Sequence, residues 1–143
     1  MQWSRATCFL VVLLAVSALG GCSNHKVLTP DELRSQLFSA YSYASEVEMF
    51  VDYVRQGRAT KIFAEGHARQ LAKEIAHSEQ ELAGATPQPQ EAQAFQSCKG
   101  ELDFLRRELQ IVPTLIDNDD ALRSERDKVA AKHHELAVAA STL

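Results

Sequence analysis

Five histidines are spread through the 143 residues, and one short run sets a carboxylate and an imidazole at ligand spacing: Glu74-Ile75-Ala76-His77. On a helix, side chains three residues apart are neighbours on one face. Glu74 and His77 can therefore approach a common ion, and His67, seven residues before Glu74, shares their face. Imidazole plus carboxylate suits Zn, Cu or Ni. His67, Glu74 and His77, with His133 or His134 brought from elsewhere, are the candidate metal set. The simpler expectation is a polar helix face with one His turned inward, because no spacing in the chain is diagnostic of a metal site. A dinuclear iron site needs Glu-x-x-His from each of two helices and a Glu from each of two others. The chain has that motif once, and His133-His134 point to two sides of one helix.

Covalent chemistry has little to work with. Haem attachment requires Cys-x-x-Cys-His, which is absent from the sequence. Cys98 sits in an apolar helical seam, where burial raises a thiol pKa and makes it inert. Gly66 and Gly100 are isolated within helical patterns rather than grouped in a phosphate-cradling loop. They are expected to allow close helix packing. No nucleophile, base and orienting group can be assembled, so no enzyme is expected.

The chain begins Met1-Gln2-Trp3-Ser4-Arg5 and continues with an apolar run from Cys8 to Leu19, then Gly20-Gly21-Cys22. A basic start, an apolar middle and small residues at the cut make a secretory signal peptide. The run is far shorter than the roughly 20 residues that span a bilayer as a helix. Leu19-Gly20-Gly21-Cys22 resembles the lipobox of bacterial lipoproteins. The resemblance covers only these first residues. It implies cleavage before Cys22, a diacylglyceryl thioether on the Cys22 thiol and an acylated N-terminus there. Two or more acyl chains anchor stably where one is marginal. The localisation implied is the bacterial cell envelope, and Ser23 after the lipidated Cys suggests an outer membrane, facing the periplasm, in a Gram-negative source. Of the three cysteines only Cys98 then remains as a free thiol. The covalent lipid is the only cofactor expected.

Charge restricts the partners. The chain carries 15 Lys and Arg against 19 Asp and Glu, a net of −4, and loss of Arg5 with the signal takes it to −5. Nucleic-acid binding depends on many Lys and Arg neutralising phosphates, so no nucleic acid is expected.

Helical pattern dominates the rest. Gly and Pro are scarce, at 6 and 4 copies, and the common residues favour helix. The expected division is a signal over 1–21, a lipidated tether over 22–28 and a helical domain over 29–143. Thr29, Pro30 and Glu32 form a capping box with proline at the first helical position, and Leu28 and Leu33 are placed as its hydrophobic staple. Leu33, Leu37, Ala40, Ala44, Val47, Val51 and Val54 then alternate four and three apart, one face of a helix that Gly57 ends. A second helix is expected from about Ala59 to Ala83, with Ile62, Phe63, Ala68, Leu71, Ile75 and Leu82 as apolar positions. The linker 84–90 follows. A third helix over 91–112 carries Phe95, Cys98, Leu102, Leu105, Leu109 and Val112. A fourth is expected over 120–140; Leu115, Leu122, Val129, Leu136 and Leu143 recur at seven-residue intervals, the first and last at or beyond its ends, and the companion seam is interrupted by Arg126 and His133. No run has period two. The fold class expected is all-α, an antiparallel up-down four-helix bundle, or two helical hairpins hinged at Pro87-Pro89.

One feature favours binding. The first helix holds all three tyrosines of the chain, together with Phe38, Met49 and Phe50. Phe38, Tyr41, Met49 and Tyr53 lie away from the apolar seam and are the candidate partner-binding residues, since exposed aromatics and Met anchor protein partners. The function expected is an envelope-anchored, non-catalytic interaction or adaptor module for an unidentified envelope protein. The alternatives are a metal-binding bundle and a structural spacer forming a homo-oligomer through the fourth-helix stripe.

Overall fold

Thr29 starts the first helix as its side chain demands. In the computed structural model, which describes residues 26–141, the Thr29 hydroxyl accepts from the Glu32 amide, and the Glu32 carboxylate accepts from the Thr29 amide at 2.9 Å. The helix that follows, α1, runs Pro30–Arg55. Gly57 closes it at φ +69°. The Gly57 amide donates to Val54 at 3.0 Å and the Arg58 amide to Tyr53 at 3.3 Å, the paired bonds of a Schellman ending.

Helix α2 spans Lys61–Ala83, with the Thr60 hydroxyl accepting from the Phe63 amide as its N-cap. It starts two residues later than the apolar pattern predicts, because Thr60 supplies an acceptor for the orphan amides and Ala59 has none. Helix α3, Ala92–Ile111, is flanked by short 3-10 turns at Pro89–Glu91 and Val112–Leu115. Helix α4, Asp119–Ser141, begins where the Ala121 amide donates to the Asn118 side chain at 3.0 Å.

The architecture is an all-α four-helix bundle. Every member of the α1 stripe and every predicted apolar position of α3 is buried, as are Leu122, Val129 and Leu136 of α4. The most extensive contacts join α1 to α4 and α2 to α3. Two hairpins hinged at Pro87-Pro89 would instead put α1 with α2 and α3 with α4. Ala40 and Ala44 on α1 are fully buried, and such small side chains let a neighbouring helix approach closely.

Two expectations need correction. Ile62 and Phe63 are 82% and 48% exposed, and Ala64 takes the core position at the start of α2. Gly66 and Gly100 serve no close approach, since a Cβ at either would meet nothing within 4 Å.

The segment assigned to tether and linker is also partly structured. Lys26–Val27 (β1) pairs in parallel with Ala85–Thr86 (β2), and the Leu28 amide donates to the Thr86 carbonyl at 2.9 Å. Leu28 is buried, and the Lys26 ammonium pairs with Glu32. Among the described residues, Lys26–Leu28 are therefore joined to the bundle. The expected signal peptide, Cys22, His25 and Leu143 lie outside the described residues.

Candidate interaction surface

The first half of α1 is unusual in charge. Residues 35–45 (Ser-Gln-Leu-Phe-Ser-Ala-Tyr-Ser-Tyr-Ala-Ser) contain none, in a chain that is 24% charged. Sequence reasoning singled out the aromatics here and missed the uncharged run that surrounds them, though a window count of charge would have found it. The helix turns the four candidate residues outward: Phe38 is 55%, Tyr41 37%, Met49 64% and Tyr53 40% exposed. Phe38 and Met49 are eleven residues apart, close to three whole turns, so they line up along the outer face. Tyr41 and Tyr53 sit to either side.

The four residues form two clusters. Tyr53 meets Phe63 of α2 with ring centroids 5.7 Å apart. Phe63 stacks on His67 at 5.6 Å, and His67 lies 5.0 Å from Phe50. With Glu46 and Met49 these rings line a shallow groove of about 290 Å³ between α1 and α2. On the other side Phe38 and Tyr41 join Ala137, Ala140 and Ser141 around a groove of about 390 Å³ against the end of α4. Tyr41 there covers the His133 ring, with centroids 4.3 Å apart.

Beneath Tyr41 a polar network ties α1 to α4. Glu48 takes Arg126 at 3.2 Å and His133 Nδ1 at 3.2 Å. Asp52 takes Arg126 at 3.4 Å and Arg55 at 3.3 Å. These contacts explain the interrupted α4 seam: Arg126 and His133 face carboxylates four residues apart on α1, where apolar side chains would have faced a charge. Their role is to register the two helices.

The metal set is not assembled. His67 is committed to the Phe50 and Phe63 rings. Glu74 accepts from the Gln70 side-chain Nε2 at 2.7 Å, and His77 Nε2 lies 3.6 Å from Glu81. Seven residues of helix separate His67 from Glu74 by about 10 Å along the axis, against metal–ligand bonds of about 2 Å. His133 is held by Glu48 on another face. Among the described residues no three His, Cys, Asp or Glu side chains are grouped to hold a metal ion.

Cys98 is fully buried. Burial pushes its thiol up to about 12, helped by the nearby Glu101 carboxylate, so it is a packing residue. Buried carboxylates were not foreseen. Glu101 and Glu108 of α3 and Glu125 of α4 all lie within the α3–α4 contact. Burial, the hydrogen bond to Glu125 and the charge of Glu125 raise the Glu108 pKa, while for Glu125 burial is outweighed by the contacts with Glu108 and Lys128, which lower its pKa. The predicted stripe of α4 is likewise consumed inside the bundle, with Leu122, Val129 and Leu136 all buried. Self-association through that stripe would require the bundle to open.

Comparison with known proteins adds no relative: no family model, no curated protein and no solved structure matches the chain.

Proposed function

We propose that the chain is a lipid-anchored, non-catalytic envelope protein whose helical bundle acts as a protein-interaction module through the outer face of α1. The observation that carries this reading is the outward row of exposed Phe38, Tyr41, Met49 and Tyr53 on α1, the first two within the uncharged run 35–45. Charged residues are depleted and aromatics and Met enriched at the centres of protein interfaces. The lipobox Leu19-Gly20-Gly21-Cys22 supports the anchor, and no helix among the described residues is long and apolar enough to cross a membrane. Only residues 23–25 separate Cys22 from the strand at Lys26, a reach of about 14 Å at full extension. The end of the bundle holding β1 would therefore stay close to the headgroups, in the outer membrane of a Gram-negative source, facing the periplasm.

Two measurements test the parts separately. Cys22→Ser should abolish labelling by radioactive fatty acid and release the protein from membranes; retained label would refute the anchor. A photo-crosslinking amino acid at Met49 should capture one envelope protein in living cells, where the same group at Gln96, exposed on α3, captures none. Alanine at Phe38 and Tyr53 should then abolish the capture. Equal capture from both positions would refute the surface.

A further inference from the structure

Nine of the described Lys and Arg side chains have a carboxylate within 4.0 Å: Lys26, Arg34, Arg55, Arg106, Arg107, Arg123, Arg126, Lys128 and Lys132. The remaining five are Arg58, Lys61, Arg69, Lys73 and Lys99. Three of these five gather at one place. Lys61, Arg69 and Lys73 line a cleft of about 680 Å³ between α2 and α3, at the end of the bundle away from β1. Its size falls in the range of small-molecule sites, roughly 300–1,000 Å³.

The sequence builds this cleft with a four-residue repeat. Positions 61, 65, 69 and 73 are Lys, Glu, Arg and Lys, a ridge along one side of α2. Beside it stand Ala68 and Ala72, whose small side chains leave the space open, and Leu109 of α3 completes an apolar floor. The far wall is formed by Arg106, Gln110 and Pro113. Arg106 is already matched by Glu79 at 2.8 Å and Asp103 at 3.0 Å, so the uncommitted charge belongs to the α2 ridge. Glu65 is the only carboxylate in the lining. In a chain of net charge −4, this is a local excess of positive charge over a nonpolar floor.

We infer that this cleft binds a small anionic ligand with a compact apolar body, its carboxylate or phosphate held by Arg69 and Lys73 and its apolar part laid on Ala68, Ala72 and Leu109. Arg69 can receive such a group bidentately, and Lys61 adds a point charge at the mouth. The α1 face plays no part, so this site stands or falls apart from the proposed interaction surface.

Calorimetric titration of the full-length protein in phosphatidylcholine nanodiscs, against empty nanodiscs, tests it. The probes are 2-naphthoate, its neutral analogue 2-naphthalenemethanol, and dihexanoyl phosphatidate. One anion should bind at one site and the neutral analogue should not. Tighter 2-naphthoate assigns an aqueous carboxylate as the ligand class, and tighter phosphatidate assigns a lipid headgroup. Arg69→Gln with Lys73→Gln, both exposed and unpaired, should weaken binding about tenfold or more. Glu65→Gln should tighten it. Ala72→Leu should block 2-naphthoate by filling the floor. No binding of either anion, equal binding of the neutral analogue, or an unchanged affinity in the double variant would overturn the inference.

Discussion

Glu101 makes the stability of this bundle depend on pH in a direction opposite to that of most paired carboxylates. It lies on α3 against α4, 5% exposed, with one carboxyl oxygen lacking any hydrogen-bond partner. Burial moves its pKa from 4.5 up to about 7, opposed by Lys132 and assisted by Glu135. The folded state therefore holds this proton more tightly than the unfolded chain. The stabilisation is complete below pH 4.5 and is lost as the pH rises through about 7. An unscreened shift of that size corresponds to about 3 kcal/mol. Lys132, Glu135 and Glu101 border an open groove, where water screens the interaction, so about 1–2 kcal/mol is expected. Glu101→Gln keeps the shape and removes the titration. It should match the wild type near about pH 4 and exceed it by about 1–2 kcal/mol near about pH 8. Urea unfolding of the full-length protein, followed by circular dichroism, reads this as a midpoint higher by about 1 M at the upper pH. If the variant gains nothing there, or loses equally at both values, Glu101 is ionised and solvated in the native state and the reasoning fails.

Two further outcomes follow from the packing. Gly66→Ala and Gly100→Ala should each stabilise by about 0.5–1 kcal/mol, because a Cβ at either position enters open space; a lower urea midpoint would reveal a contact there. Cys98, fully buried with its thiol pushed up to about 12, should resist N-ethylmaleimide in the native protein and react once urea unfolds it. Native labelling at the rate of a free thiol would contradict its burial.

Local order was legible in the residues because it depends on short-range chemistry. The Thr29–Glu32 capping box, the Gly57 ending and the seams of α1 and α3 follow from hydrogen-bond supply and the 3.6-residue period. Exposure of Phe38, Tyr41, Met49 and Tyr53 followed from their angular distance from the α1 seam. The sorting of neighbours did not follow. Periodicity tells which face a helix buries and is silent on which helix covers it, so only the tertiary structure paired α1 with α4 and α2 with α3. The same limit explains the remaining differences. Lys26–Val27 looked like tether because its partner, Ala85–Thr86, is distant in sequence. Glu101, Glu108 and Glu125 carry no mark of burial in the sequence and are buried where α3 meets α4. Arg126 and His133 looked like breaks in a seam until Glu48 stood opposite. The three cations of the α2 ridge became a site when Leu109 of α3 closed the floor beside them. Composition, caps and period are properties of the chain alone. Pairing, burial of charge and the shape of a cleft require two segments to meet, and the energy that decides them is written in neither segment by itself.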